Sequence, residues 1–385
     1  MNIRAVPGLI LALALLGAAC APAAAPSPTA APKPTEAPKP AAPAASPAAS
    51  PAASPAASPS PAAKPAAQAP AAKPATRENA TVVIGARAAV AYLHLDLAKA
   101  LGYYDDENLE IDQQYMAAGT QAATALLAGQ AQFSGNSMDH IVKAKTEGKD
   151  MLLVASLTTA PGITMVVSKK YENEIKSPAD LKGKRVGVTS LGSGTHTLLL
   201  NIVAKAGLQP NDVQVVPVGS DTMPAALEAD QVHAAMGNDP YVSQLKQAGK
   251  AYFLVDLTTK EDTARYLGGD YQFTGLLTMA DTARSKPDLT QRMVNAISRA
   301  CQFIANNSPR EVASRLPKDV TGSDLDVYVL GLEHNYPALS KDCTASDTGV
   351  DNFVKSQVVA GIVTQDKAPR AAELFDMSFV QKARR

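Results

Sequence analysis

The sequence predicts an α/β protein in which helices separate the strands of a largely parallel sheet. Two observations support this prediction. From Asn79 to the end of the chain, apolar segments of strand length alternate with helix-length segments that have one apolar face. Short turns rich in glycine, serine, threonine or asparagine separate the strands from the helices after them. Ligands of such sheets bind beyond the carboxyl ends of the strands, so these turns are candidates for a binding site.

The alternation is clearest in the first half of the folded part. Strands are predicted over residues 81–85, 109–115, 131–134 and 151–157. Helices are predicted over residues 92–101, 120–128 and 138–147. A long amphipathic helix is predicted over 288–306, and we expect its apolar face to pack on the rest of the fold without a chemical role.

Residues 185–208 are the most informative stretch of the sequence. Val186 and Val188 indicate a short buried strand, residues 192–196 a polar turn, and residues 197–206 a helix. Small residues let a ligand approach the backbone, and the free N–H groups and dipole of a helix N-terminus favour an oxyanion. Ser193 or Thr195 could equally do no more than cap the helix. The sequence leaves both interpretations open.

The first twenty residues resemble a bacterial lipoprotein signal peptide. Arg4 provides a positive start, residues 9–16 form a short apolar run, and small residues from Gly17 lead to Cys20. The resemblance implies that Cys20 becomes the lipidated first residue of the mature protein; secretion with cleavage before Cys20 is the alternative. Residues 21–77 contain little besides alanine, proline, serine and lysine, so we expect a disordered tether.

Composition argues against several classes of partner. The 36 basic and 36 acidic residues balance, and no basic cluster is interleaved with aromatic residues, so a nucleic acid is not expected. No Cys-x-x-Cys or His-x-x-x-His spacing suggests a metal, and no cofactor is implied.

Apart from Cys20 the sequence contains only Cys301 and Cys343, and whether these two form a disulfide is left open.

Four segments carry a resemblance to a known family. They are Gly102-Tyr103-Tyr104-Asp105, residues 119–133, residues 175–188 and residues 225–235. In this order they resemble the substrate-binding proteins of ABC importers for nitrate, aliphatic sulfonates, taurine and thiamine-pyrimidine precursors. The resemblance covers nearly the whole folded part, with departures at Tyr104, Asp230 and His233, where the family usually has Phe, Gly and Asp.

The resemblance implies a type II periplasmic-binding-protein fold. Two lobes with mixed, mostly parallel sheets would be joined by a two-segment hinge near 165–168 and 275–278. Lobe one would comprise 78–167 and 277–385, and lobe two 168–276. The protein would be an extracytoplasmic monomer, anchored to the membrane through Cys20 and on the periplasmic side where the host has an outer membrane. It would deliver a small ligand to an ABC permease with its ATPase.

The same fold predicts which residues face the cleft between the lobes. They are Arg87, Tyr92, Asn136, Ser137, Ser193, Gly194, Thr195, His196, Asn238, Asp239 and Tyr241. Arg87 would clamp a sulfonate, nitrate or carboxylate in bidentate fashion, and Tyr92 and Tyr241 would form aromatic walls. Asp239 would instead favour an amine or a donor-rich heterocycle. The charge of the ligand is therefore left open, and each of these residues has an ordinary structural alternative as a cap or a surface residue.

Two other functions remain as alternatives. The lobes would also suit a receptor that serves a sensor or another non-transport partner. An enzyme is not expected: Ser193 and His196 place a hydroxyl near an imidazole, but no orienting acid is evident and no Gly-x-Ser-x-Gly elbow occurs.

Overall fold

The structure, a computed structural model, describes residues 76–383. The predicted signal peptide, Cys20 and all but the end of the predicted tether lie outside the described residues. Within residues 76–383, no helix has both the length and the apolar character that crossing a membrane requires.

Ten strands are present in the described part. They are β1 (Glu78–Ile84), β2 (Leu109–Tyr115), β3 (Phe133–Ser137), β4 (Met151–Ser156), β5 (Ile163–Ser168), β6 (Arg185–Val188), β7 (Gln214–Pro217), β8 (Ala234–Asn238), β9 (Ala251–Asp256) and β10 (Thr274–Met279). Each strand predicted in the first half of the folded part overlaps an observed one. The apolar residues of β1, β3 and β4 are largely buried in the sheet, whereas β2 alternates between partly buried and exposed residues.

The helices fall between the strands and after the last of them. They are α1 (Leu93–Ala100), α2 (Tyr103–Asp106), α3 (Gly119–Leu127), α4 (Asp139–Thr146), α5 (Gly194–Lys205), α6 (Met223–Glu228), α7 (Tyr241–Gln247), α8 (Lys260–Leu267), α9 (Ala280–Ser285), α10 (Pro287–Asn306), α11 (Pro309–Ser314), α12 (Lys318–Thr321), α13 (Leu325–Asn335), α14 (Asp347–Val359) and α15 (Ser378–Ala383).

The strands form two five-stranded mixed sheets with matching topology. The first has the order β2-β1-β3-β10-β4 and the second the order β7-β6-β8-β5-β9. In each sheet one strand is antiparallel to its neighbours: β10 lies between β3 and β4, and β5 lies between β8 and β9. We call the first sheet with its helices, including α9–α13, lobe one, and the second sheet with α5–α7 lobe two. The α/β prediction is confirmed.

The chain passes between the sheets at positions that differ from the predicted hinge. Residues 163–168 pair along their length with lobe two, and residues 274–279 pair with lobe one. The crossings are therefore residues 157–162 and 257–273, a few residues before the predicted 165–168 and 275–278. A strand held by ladder hydrogen bonds cannot turn within its length, whereas the crossings contain Gly162, Gly268 and Gly269, all with positive φ.

The segment after β10 completes lobe one. Helix α10 packs against α1, α2 and β4, and it buries Leu289, Met293 and Ile297 as its apolar stripe predicts. Cys301 on α10 forms a disulfide with Cys343, with their Cα atoms 5.9 Å apart. The pairing left open by the sequence is therefore present, and it fixes the chain around residue 343 to lobe one.

Candidate ligand-binding cleft between the two lobes

A small cavity lies where the turns of both lobes meet. Its walls are formed by Gly85, Ala86, Ala91, Tyr92, Gly119, Ser137, Ile163, Thr189, Ser193, Gly194, Thr195, Ser220, Asn238, Phe273 and Thr274. About 30 Å³ is open to the centres of water molecules, which is room for roughly two of them. The structure therefore shows the lobes closed around a space suited to a small solute.

The N-terminus of α5 forms the lobe-two wall. Ser193 caps the helix, because its Oγ accepts a hydrogen bond from the His196 backbone N–H at 3.4 Å. The helix begins at Gly194, three residues earlier than predicted. Within residues 76–383 the backbone N–H groups of Gly194 and Thr195 have no acceptor, and both residues line the cavity. The partial positive charge of a twelve-residue helix is thus directed at the cavity.

Three hydroxyl groups support this helix start. Thr189 Oγ1 lies 3.0 Å from both Ser193 Oγ and Thr195 Oγ1, and the last two are 2.8 Å apart. Ser193 Oγ also donates to the Ser190 carbonyl at 2.7 Å. Because each hydroxyl has a hydrogen that can rotate, the cluster can redirect donors toward an acceptor in the cavity.

Lobe one contributes a phenol and a second helix start. Tyr92 makes no side-chain hydrogen bond within the described residues, and burial raises the pKa of its phenol, so the hydroxyl keeps its proton as a donor. Gly119, the first residue of α3, also lines the cavity. Asn136 holds this turn, because its Nδ2 donates to the Gly119 carbonyl at 2.8 Å and its Oδ1 accepts from the Ser137 N–H at 2.9 Å. Asn136 therefore positions the wall and is not part of it.

The lobes touch around the cavity. Gly194 has no room for a side chain, since a Cβ there would lie 2.6 Å from Phe273 Cζ and 2.8 Å from Ser137 Oγ. The Val90 N–H donates to the Asp239 carbonyl across the cleft at 3.2 Å. The close contact at Gly194 explains why a residue without a side chain occupies this turn.

Five predicted residues do not line the cavity: Asn136, His196, Arg87, Tyr241 and Asp239. Arg87 is about half exposed, packs its guanidinium 4.2 Å from the centre of the Tyr115 ring and lies 3.9 Å from Asp319. Tyr241 is partly exposed and donates to Asp221 at 3.2 Å. Asp239 is buried, but its carboxylate accepts from the Ser243 N–H, His334 and Asn335 and so is already paired.

His196 lies beside the cavity without lining it. Its Nδ1 accepts from the Gly192 N–H at 3.0 Å, which places the proton of the neutral ring on Nε2. Burial lowers the pKa of His196, and the nearby Asp139 carboxylate opposes this shift. The ring is therefore neutral near pH 7 and donates through Nε2.

Several residues of the site were not predicted. Thr189, Ser220 and Phe273 line the cavity, and the buried Ser220 hydroxyl has no partner within the described part. Asp139, at the first position of α4, is 3% exposed, and neither of its carboxylate oxygens has a hydrogen-bond partner there. Its nearest basic group is His140 Nε2 at 3.6 Å. In the sequence these residues are marked only by their positions near the ends of strands. Ordinary helix-capping residues occupy the same positions, so the sequence does not single these residues out as part of a site.

The residues that line the cavity are all uncharged. Its polar groups are hydroxyls, one amide side chain and backbone N–H groups. Such a set binds an oxyanion through hydrogen bonds and helix dipoles without a full positive charge.

Comparisons with known proteins agree with this architecture. Residues 92–311, more than half of the chain, match the family model described as NMT1/THI5 like. A Brucella abortus (strain 2308) protein named as a binding protein is 30% identical over 159 residues, which are 41% of this chain and 46% of that protein. An Escherichia coli K12 protein named for binding aliphatic sulfonates is 29% identical over 39% of this chain and 46% of its own length.

The relatives include an enzyme. A 4-amino-5-hydroxymethyl-2-methylpyrimidine phosphate synthase of Schizosaccharomyces pombe is 25% identical over 39% of this chain and 42% of the synthase. The chain spans about half the length of the curated relatives it matches.

Solved structures extend the match to nearly the whole described part. A protein from Bordetella bronchiseptica RB50 superposes with a TM-score of 0.74 at 28% identity, covering 79% of this chain and 96% of that one. The alkanesulfonate-binding protein SsuA from Xanthomonas axonopodis pv. citri, bound to MOPS, superposes with a TM-score of 0.62 at 23% identity over 80% of this chain and all of that one. The chain therefore belongs to the NMT1/THI5-like family and has the two-lobed fold of periplasmic binding proteins.

Proposed function

We propose that the chain is an extracytoplasmic solute-binding protein that closes its two lobes around a small oxyanion. One observation carries the proposal: the unpaired N–H groups of Gly194 and Thr195 meet the hydroxyls of Tyr92, Ser137 and Ser220 in a closed, uncharged cavity. The two N–H groups can only donate, and each hydroxyl can turn its hydrogen toward an acceptor. Because burying unpaired donors is costly, an acceptor-rich ligand supplies the hydrogen-bond partners that these groups lack.

Ligand capture would proceed by a shift between open and closed populations. A ligand that contacts both lobes only in the closed form stabilises that form by its additional contacts. Delivery of the ligand to an ABC permease with its ATPase, and anchoring through a lipidated Cys20, belong to the same proposal. The names of the sulfonate-binding relatives support this class of ligand, and a sensor partner remains the alternative to a permease.

The arrangement favours binding over catalysis. A serine hydrolase requires its nucleophilic hydroxyl to donate to an imidazole. Here Ser193 Oγ donates to the Ser190 carbonyl, and the Nδ1 atom of His196 accepts from Gly192. One relative is a pyrimidine phosphate synthase, so the ligands to be tested include a pyrimidine.

A thermal-shift screen of the purified protein tests the proposal. The panel contains nitrate, bicarbonate, acetate, ethanesulfonate, taurine, amino acids, thiamine and a 4-aminopyrimidine precursor of thiamine. An oxyanion at 100 times its Kd should stabilise the folded protein by about 2.7 kcal/mol. Ser137→Ala should weaken binding about fivefold to tenfold, because one hydrogen bond to a charged ligand is lost.

Ser134→Ala is the matched control, since Ser134 lies on the same strand and is buried without lining the cavity. It should leave the affinity unchanged. A response only to cationic or neutral heterocyclic compounds would overturn the oxyanion proposal. Equal effects of the two serine substitutions would overturn the assignment of the site.

A further inference from the structure

An imidazole from lobe one stands between two carboxylates of lobe two. His334, near the end of α13, places Nδ1 2.6 Å from Asp239 Oδ2 and Nε2 2.8 Å from Asp256 Oδ2. Asp239 follows the end of β8, and Asp256 is the last residue of β9. The three side chains lie outside the ligand cavity and bridge the lobes beside the two crossings.

The residues after His334 are attached to lobe one. Tyr336 Oη donates to the Ile304 carbonyl of α10 at 2.5 Å, and His94 Nε2 of α1 donates to the Ser340 carbonyl at 2.9 Å. The disulfide of Cys343 with Cys301 adds a covalent link to α10. His334 therefore moves with lobe one, and its carboxylate partners move with lobe two.

The bridge controls a turn that forms part of the ligand cavity. Asn335 Nδ2 also donates to Asp239 Oδ2, at 2.6 Å, so two adjacent residues of α13 hold the same carboxylate. Asn238, immediately before Asp239, lines the cavity, and the Asp239 carbonyl accepts the Val90 N–H across the cleft. The position of Asp239 thus sets the position of a cavity wall.

The geometry suits a ring that carries a proton on both nitrogens. An ionised carboxylate can only accept a hydrogen bond, so both ring nitrogens must donate, and only an imidazolium can do this. Burial alone would lower the pKa of His334, but the hydrogen bonds and negative charges of Asp239 and Asp256 outweigh burial and raise it to about 9.

We propose that His334 is a positioning residue that fixes the Asn238–Asp239 turn in the closed form, and that closure of the lobes takes up one proton on its ring. The inference rests on the proposed closure around a ligand. In the open form His334 loses both carboxylates and returns to its ordinary pKa of about 6.5. The added stability of the closed form is complete below pH 6.5 and is lost as pH rises through 9.

Other charged groups surround the bridge and must be controlled for. On α13 itself these groups are Asp326 and Glu333. On the elements packed against α13 they are Lys246 of α7, Lys260 and Asp270 of the crossing, and Arg310, Glu311 and Arg315 of α11. Of the basic groups, Lys246 is directed at the Phe253 ring at 4.1 Å, and Arg310 and Arg315 pair with acidic neighbours. The two aspartates are the charged groups in hydrogen-bond contact with the ring.

The test measures closure without any ligand. Fluorophores on non-canonical amino acids at the exposed positions Thr124 in lobe one and Lys205 in lobe two report the distance between the lobes by energy transfer. Between pH 6.5 and 9 the ratio of closed to open molecules should fall at least tenfold, with ~80-fold as the upper bound that pKa values of about 9 and 6.5 allow over this range. His334→Gln, which retains one donor but does not titrate, should abolish this dependence.

His233→Gln is the matched control, because His233 lies in lobe two and accepts the Arg185 N–H far from the bridge. It should retain the pH dependence. A pH-independent distance in the wild type, or the same dependence in His334→Gln, would overturn the proposal. If His334→Gln does not fold, NMR titration of the wild-type His334 ring decides: in molecules whose energy transfer shows closed lobes, a pKa near 9 supports the proposal, and one near 6.5 overturns it. Because no ligand is added, failure of the ligand screen does not affect this result.

Discussion

The hydroxyl oxygens of Thr120 and Ser190 lie 2.8 Å apart, although the two residues belong to different lobes. Thr120 is the second residue of α3 in lobe one, and Ser190 lies in the turn that leads into α5 in lobe two. Their hydrogen bond closes the rim of the cavity between two helix starts. It can form only when the lobes are closed, so it contributes to ligand affinity and not to the stability of either lobe.

Removing this rim contact should weaken binding selectively. Ser190→Ala deletes one hydroxyl–hydroxyl bond, worth about 1 kcal/mol, and should raise the Kd for the best oxyanion of the screen about fivefold. Calorimetric titration measures the change. Ser314→Ala, an exposed serine on α11 remote from the cleft, should have no effect on Kd. An unchanged Kd in Ser190→Ala would show that the contact does not form in solution.

Gly194→Ala should block closure while leaving the lobes folded. The added Cβ would lie 2.8 Å from Ser137 Oγ of lobe one and 2.6 Å from the Phe273 ring on the crossing, and closure requires both contacts. We expect at least a tenfold loss of affinity by calorimetry with little change in the unfolding temperature. Gly249→Ala is the opposite control. It should lower the unfolding temperature, because a φ of 66° strains alanine by about 1 kcal/mol, and it should leave the affinity unchanged, because the added Cβ would contact nothing. Retained affinity in Gly194→Ala would contradict the closed cleft.

The disulfide should contribute substantially to stability. It closes a loop between residues separated by 42 positions, for which the chain-entropy treatment gives about 2–4 kcal/mol. The Cys301→Ala/Cys343→Ala double variant should unfold at correspondingly lower denaturant concentration, measured by circular dichroism. A reducing agent should reproduce the effect in the wild type and leave the variant unaffected. Equal sensitivity of both proteins to the reducing agent would argue against the bond.

Asp139→Asn should stabilise the ligand-free protein. Both oxygens of the buried carboxylate lack hydrogen-bond partners in the described part, and burying an unpaired charge is costly even at a helix N-terminus. We expect a gain of about 1–2 kcal/mol in denaturant unfolding. A loss of stability would mean that the carboxylate has a partner in solution. Asp281→Asn, on an exposed helix, controls for removal of a charge.

Acid should destabilise the fold partly through His94. The ring is fully buried, its Nδ1 has no partner in the described part, and burial lowers its pKa to about 4. The unfolded chain binds the proton first, so stability falls as pH drops from 6.5 to 4, by up to about 3 kcal/mol.

Asp96 acts in the opposite direction, because burial raises its pKa to about 6. The His94 contribution is therefore the difference between wild type and His94→Gln in urea unfolding at pH 7 and pH 4.5. Equal loss of stability on acidification in both proteins would contradict the assignment.

The sequence was sufficient to predict the order of strands and helices but not the direction in which side chains point. The alternation of strands and helices predicted the α/β class, and the turn at residues 193–196 lies at a helix start, as expected. Whether Arg87 faces the cleft depends on Tyr115, which lies on the neighbouring strand, and local sequence contains no information about that contact.

Partners that are distant in the sequence explain the remaining differences. Asp239 was expected to offer a free carboxylate, but it is paired by His334 and Asn335, about a hundred residues later in the chain. The unpaired carboxylate belongs instead to Asp139, whose place at a helix start is typical of an ordinary cap. Only tertiary structure distinguishes a paired acid from an unpaired one.

The amide resonances of Gly194 and Thr195 test the central claim most directly. In an NMR titration with the oxyanion that gives the largest thermal shift, both N–H protons should move downfield together, as expected for new hydrogen bonds to a charged acceptor. Their saturation should follow the Kd from calorimetry. Saturable binding that leaves these two resonances unchanged would contradict an oxyanion site at the start of α5.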